Sequence, residues 1–470
     1  MRRQLSVVFG AGLTVGAARF MLAYLFAGNF PTSDLYDGNF RHIYRPFVDG
    51  SLNLRSFIQA PAGGEHIQAI PRLLDFALFW VTGEWNLTRE CELHALIAAA
   101  IAAALVDAHL RLSAAGSALT VASICLLLAL PVCFYNTLVG TGDVYTLSIL
   151  FSVLAFSAAS ADEFPRRGLN LASGWAICAY LSSGSGLITF AIVSAMAAWA
   201  YLTRGIRPVA SAFAVYALIC VGFFALAFLL FIHFGVTTRP LVPRGKEISS
   251  VHEFVINLRD HIFWPGWPLA WIGIAIWLPF GVVAWRLWAD RSAPQTPDHQ
   301  SYRFAFMLYA WVLAIILATA LLRPYYAGAG VQYRYFDILL MAALAAYFTP
   351  RWKLPRAAVP ALKIAVVGLA ALFASVLWPQ VESLSKILST MEKIERETFR
   401  IERESSLADA RAYFVMNSAH VQMMVAGATE GERVNTVWDR MHDPAYMRIR
   451  GQAAQLENAK IYRFPDDPLK

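Results

Sequence analysis

The sequence predicts an all-α polytopic membrane protein of about eleven transmembrane helices. Three observations carry that prediction. Of 470 residues, 58% are hydrophobic and only 15% are charged, against about 25% charged in an ordinary soluble protein. Apolar runs near the roughly 20 residues that a spanning helix needs recur from the N-terminus to about residue 377. Basic residues fall in alternate loops between those runs, the bias that orients membrane helices. The net charge of +7 forms no basic stripe or tail, which points away from nucleic acid as a partner.

The runs lie near 5–27, 92–111, 117–135, 144–160, 169–183, 186–202, 208–234, 267–288, 303–322, 335–349 and 357–377. The first follows Arg2 and Arg3 and is interrupted by Arg19; its length favours a retained helix over a cleaved signal peptide. A shorter run at 70–83 starts with Pro71, a favoured first-turn residue. It is too short to span and reads as a helix lying on the membrane surface. With Arg2 and Arg3 inside, eleven spans place Arg111, Arg166, Arg167, Arg204, Arg207, Arg286, Arg291, Arg351, Lys353 and Arg356 on the cytoplasmic side. Counting 70–83 as a span reverses everything after it and breaks that agreement. The expected orientation has the N-terminus cytoplasmic and the C-terminus extracytoplasmic. Cys91, Cys125, Cys133, Cys178 and Cys220 sit in or beside apolar runs and read as small core residues.

Two units follow. Residues 1–377 form the transmembrane domain, with a first outer loop at 28–91 and a second large one at 235–266. Residues 378–470 form a mostly helical extracytoplasmic tail. At its start Leu384, Ile387, Leu388, Met391 and Ile394 recur at helical spacing, and Glu392 and Arg396 stand four apart, an amphipathic pattern.

Chemistry-bearing residues gather in the outer loops. In "NFPTSDLYDGNFRHIYRPF", Asp34 and Asp37 lie about two turns past the first span. Arg41, His42 and Arg45 follow, then Glu65, His66 and Arg72. Acids held at a membrane surface are costly unless partnered or used. For Asp49 and Asp75, ordinary solvation suffices. The short loop "YNTLVGTGD" carries Asn136 and Asp143 at helix ends, with Asp143 suited to cap the next helix. The late loop "LLRPYYAGAGVQYRYFD" holds Arg323, Tyr326, Arg334 and Tyr335. These cations oppose the inside bias. A guanidinium fork suits phosphate, and tyrosine offers a hydroxyl and a ring to lipid or sugar. The alternative is arginines snorkelling to bulk phospholipid. Neither a phosphate-binding P-loop, a dinucleotide fingerprint nor a zinc-protease motif is present, so nothing suggests an ATP-driven pump.

This arrangement resembles the GT-C superfamily of membrane glycosyltransferases, which includes protein O-mannosyltransferases, aminoarabinose transferases and bacterial relatives. The matching features are an inside N-terminus, an acidic motif just past the first span and a large first outer loop ending in a surface helix. Gly64-Glu65-His66-Ile67 and Arg72-Leu73 match in part a subgroup motif, Asn-Glu-His-Arg followed by Arg-Leu. "YNTLVG" and "QYRYFD" are similar to that subgroup's Asn-containing loop and its Ser-Arg-Tyr span start. Gly64 and Ile67 depart from the pattern, and the acidic motif is Asp-Leu-Tyr-Asp rather than an adjacent pair. The tail has no counterpart.

The resemblance implies transfer of a sugar from a polyprenyl-phosphate donor to an acceptor hydroxyl at the outer face of the membrane. Asp37 would be the general base, with Asp34 its rival. Glu65 and His66 would bind a divalent metal (Mg or Mn) or orient the acceptor, with Asp143 a further candidate ligand. Arg323 and Arg334 would stabilise the leaving phosphate. Arg72, Asn136, Tyr326 and Tyr335 complete the candidate donor site. The implied partners are the lipid-linked donor, membrane lipids and a glycan, lipid or protein acceptor. Two other functions fit the same architecture: a transporter or flippase of a lipid-linked sugar, and a non-catalytic assembly protein on a GT-C scaffold.

Overall fold

Inside a bilayer a backbone must satisfy its own polar groups, and an apolar run does so by coiling into a helix. The computed structural model describes residues 2–29, 36–58, 68–113, 118–130, 132, 134–139, 142–161, 166–204, 250–264, 270–289, 296–322, 335–348, 358–426, 438, 441–443 and 445–446. Among these residues every regular element is helical. In chain order they are α1 (Arg2–Phe26), a π-helical segment (Tyr36–Tyr44), α2 (Arg45–Val48), α3 (Leu54–Ile58), α4 (Ala69–Thr82), α5 (Leu87–Leu112), α6 (Ala118–Ala129), α7 (Phe134–Leu138) and α8 (Gly142–Ser160). Then come α9 (Arg166–Ser182), α10 (Gly186–Arg204), α11 (Val251–Ile262), α12 (Ala270–Ala289), α13 (Pro297–Leu322), α14 (Phe336–Ala345), α15 (Ala358–Glu404) and α16 (Leu407–Ala426).

Among the described residues four helices are long and apolar enough to cross a membrane: Gln4–Phe26, Leu87–Leu112, Trp271–Ala289 and Asp298–Leu321. Ala118–Ala129, Val144–Ser160, Gly186–Trp199 and Phe336–Phe348 are shorter apolar helices. The expected run at 208–234 lies outside the described residues. The last expected run does not stop near 377. It continues through Pro379 into the amphipathic start of the tail, making α15 one helix of 47 residues, about 70 Å long.

Small residues bring the central helices together. α1 packs most extensively on α5 through Gly12-x-x-x-Gly16. A Cβ added at Gly16 meets the Ala99 Cβ at 2.9 Å, and one at Gly12 meets the Ala99 carbonyl oxygen at 3.1 Å. That is the small-residue packing of membrane helices, where backbones approach because no side chain intervenes. A hydroxyl ladder joins α8 to α10, with Ser148 to Ser185 at 2.7 Å and Ser152 to Thr189 at 2.6 Å.

The contacts sort the bundle into two ends. At one, Arg111 of α5 donates to Ser157 of α8 (2.9 Å), the His109 ring meets Phe348, and Ser301 of α13 donates to the Phe348 carbonyl. At the other, the Leu87 amide donates to Asn29 just past α1, and the Asn29 amide donates to Glu392 of α15. Tyr145 of α8 and His261 of α11 both meet Tyr335 at that end. The segment between α1 and α5, the helix α11, the start of α14 and the tail therefore share one end of the molecule.

The helix expected at 70–83 is α4, closed by Gly83 at φ +75°, a left-handed conformation that favours glycine. Its polarity is inverted. Arg72, Asp75 and Phe79 are buried, whereas Leu73, Trp80 and Val81 are exposed, the last two at 65% and 82%.

Candidate functional site

The candidate site begins at the π-helical segment. π-Helix is rare and favours functional positions. Here it carries Asp37 as its second residue. Its later residues are tied down. Asn39 Nδ2 donates to Asp75 Oδ2 at 2.7 Å, and the Tyr44 hydroxyl donates to Glu90 Oε1 at 3.3 Å. Trp85 Nε1 donates to the same Glu90 oxygen at 2.8 Å. Asp75 and Glu90 are 2% and 1% exposed, and these donors are what makes buried acids tolerable. Solvation, the expected state of Asp75, is therefore replaced by burial. Asp49, read the same way, is exposed and lies beside Arg45.

Arg72 is fully buried and donates through Nη1 to the carbonyls of Ser56 and Phe57. It pins α4 to α3, so the contacts described for it are to protein backbone.

The tail roofs this loop. Tyr446 meets the rings of Phe40 and Trp85, and its hydroxyl donates to Glu395 of α15 at 3.0 Å. Arg45 and Asp443 form an ion pair at 3.3 Å, and His442 Nε2 stands 3.0 Å from Glu402. Met391, Ile394, Phe399, Phe414, Trp438 and Met441 join Phe40, Tyr44, Phe79 and Trp85 in one apolar cluster. Glu392–Arg396, the pair expected on the tail helix, is formed.

One turn further along α5 from Glu90, His94 lines a second, deeper group. Arg19 of α1 lies 3.7 Å from Asp337 of α14, donates from Nε to the Leu128 carbonyl at 2.7 Å and from Nη1 to the Thr137 hydroxyl. Asn136 of α7 donates to Asp337 at 2.6 Å. Arg19, His94, Asn136, Thr137, Thr146 and Asp337 line a small cavity inside the bundle. Two residues along from Asp337, Tyr335 is buried between the rings of Tyr145 and His261 at 5.9 and 6.0 Å. His261 Nδ1 donates to the Asn257 carbonyl, 2.8 Å away; burial is the main cause that holds its imidazole below the usual histidine range.

Of the expected site residues, Asn136 bonds Asp337 and Tyr335 packs on Tyr145 and His261, both at the end of the bundle that also holds the Asp37 segment. Asp37 and Asp143, the second residue of α8, have described backbones only. Asp34, Glu65, His66, Arg323, Tyr326 and Arg334 lie outside the described residues. No group of three or more His, Cys, Asp or Glu suited to a metal occurs among the described residues. Sequence reasoning took Asp75 for a solvated acid and missed Glu90, His94 and Asp337. Arg19 was noted only as an interruption. An ionisable residue inside an apolar run is itself the signal for Arg19, His94 and Asp337.

Compared with protein-family models, curated proteins and solved structures, the chain has no match.

Proposed function

We propose that the chain is an inverting membrane glycosyltransferase that takes a sugar from a polyprenyl-phosphate donor at the outer face of a bacterial inner membrane. The observation that favours this reading is the anchoring of the Asp37 segment. Asn39, Tyr44 and Trp85 bind buried carboxyl groups of α4 and α5. The effect is to hold one acidic loop against the bundle end where Asn136 bonds Asp337 and Tyr335 packs on Tyr145 and His261. A weak carboxylate base gains most of its effect from such positioning.

In the proposed step Asp37 takes the acceptor hydroxyl proton as the oxygen attacks the anomeric carbon. The bond from that carbon to the phosphate oxygen breaks, and the electron pair leaves with the phosphate. Arg323 and Arg334 balance that growing charge. The configuration inverts because the displacement is in line. The outward apolar face of α4, with Leu73, Trp80 and Val81, suits contact with lipid and supports the surface-helix reading.

The buried Arg19–Asp337 pair gives the transporter reading its one specific argument, since ionisable groups inside spans mark transport pathways. Its depth favours the enzyme. Arg19 lies seven residues from the end of α1, and His94 seven residues from the start of α5, about 10 Å along each helix. Transport sites lie near the midplane; this group belongs to the outer third.

The test is sugar transfer by purified protein in nanodiscs supplied with polyprenyl-phosphate sugars. Asp37→Asn should lose on the order of 100-fold or more of the rate while Asp34→Asn keeps most of it. Undiminished transfer by Asp37→Asn would remove the assigned base. Movement of the lipid-linked sugar across liposomes without transfer would replace the enzyme with a transporter.

A further inference from the structure

We infer that Arg19 and Asp337 are positioning residues that fix the two halves of the proposed site against each other. The inference rests on the transferase reading. α1 leads, eleven residues after its end, to Asp37. α14 is entered from the loop that carries Arg323 and Arg334. In the chain the proposed base therefore follows one helix, and Arg334, one of the two proposed cations, immediately precedes the Tyr335 that opens the other.

Among the described contacts, the charged link between these two helices is the pair Arg19–Asp337 at 3.7 Å, with Arg19 4% exposed. The guanidinium uses its fork on three separate elements. Nε reaches the Leu128 carbonyl near the end of α6, Nη1 the Thr137 hydroxyl on α7, and Nη2 Asp337 on α14. Asn136 closes the group by donating to the other Asp337 oxygen at 2.6 Å. One arginine thus gathers α1, α6, α7 and α14.

A buried ion pair adds little net stability compared with a well-packed apolar replacement, so its retention fits a role in registry. The directional fork explains arginine at this position. Lysine keeps the charge and one or two of the contacts. With the link broken, α14 and the short α7 lose their fixed relation to α1. If the competent arrangement then falls to about a tenth of the population, apparent donor affinity falls about tenfold.

The experiment compares the full-length wild type with Arg19→Met, Asp337→Asn and Arg19→Lys in nanodiscs. Hydrogen exchange is read on peptides covering 134–139 and 335–341, and binding of a polyprenyl monophosphate by native mass spectrometry. Arg19→Met and Asp337→Asn should speed exchange in both peptides and weaken binding about tenfold, with Arg19→Lys recovering much of both. Unchanged exchange in the first two variants overturns the link. Faster exchange with unchanged affinity overturns its role in the site. A wild type that does not bind the lipid phosphate sinks the transferase reading instead, and exchange alone then decides the link.

Discussion

At the residue scale, two buried acids hold the loop: Asp75, expected to be solvated, and Glu90. Asp75 looks like a surface charge in the sequence because nothing near it in the chain says what covers it. Its cover comes from Asn39 and from the aromatic loop and tail around it. Glu90 is held in the same way by Tyr44 and Trp85. Trp85→Phe keeps most of the ring but removes a 2.8 Å donor from a buried carboxyl group. It should destabilise the protein by about 1–3 kcal/mol, seen as a lower unfolding temperature in detergent. Trp80→Phe, at a 65% exposed position, is the control and should leave that temperature unchanged. Equal shifts in both would mean that the Trp85–Glu90 bond contributes nothing.

At the element scale, most helices were legible. Apolar length and the start at Pro71 place a helix over 70–83, and the structure has Ala69–Thr82. Of the tail face spaced over Leu384, Ile387, Leu388, Met391 and Ile394, the last three are buried and the first two half-buried. The continuity of α15 was not legible. Pro379 and the onset of charge there suggest a boundary, yet a proline removes only one helical hydrogen bond and a tertiary setting can carry a helix through it. The Gly12–Gly16 spacing was legible and overlooked; only the partner, Ala99 of α5, needs the structure. Gly16→Val should drive a side chain into α5 and cost roughly 1–3 kcal/mol. Gly10→Val, with nothing within 4 Å of an added Cβ, should be tolerated. Thermal unfolding of both variants checks this, and matched stabilities would show that α1 and α5 do not meet there.

At the scale of the whole molecule, the tail is part of the loop site rather than an appendage. Tyr446 touches Phe40 and Trp85 across almost the full length of the chain. Tyr446→Ala removes the ring contacts and the bond to Glu395. It should make the loop after α1 more open to protease, with cuts between residues 36 and 58 appearing faster than in the wild type. An unchanged cleavage rate would mean that the roof does not hold the loop. Composition and loop charge indicate a helical membrane protein, and four described helices have spanning length. The count of spans depends on stretches such as 208–234, which no described helix covers. The candidate chemistry was legible only as loops. Which loops meet is fixed by pairs such as Asn136–Asp337, separated by 201 positions, and no local pattern encodes such a distance.

The roof also sets a clock. Phe40 and Trp85 are made early, and Tyr446 follows Phe40 by roughly 400 residues. At about 5–20 residues per second, some 20–80 seconds of synthesis separate the loop from its cover. Throughout that interval the aromatic face that ends as the interior of the outer cluster has no tail to close over it. During biogenesis this protein therefore presents a sticky, half-built surface at the membrane, and its yield depends on what shields Phe40, Tyr44 and Trp85 until the last segment arrives.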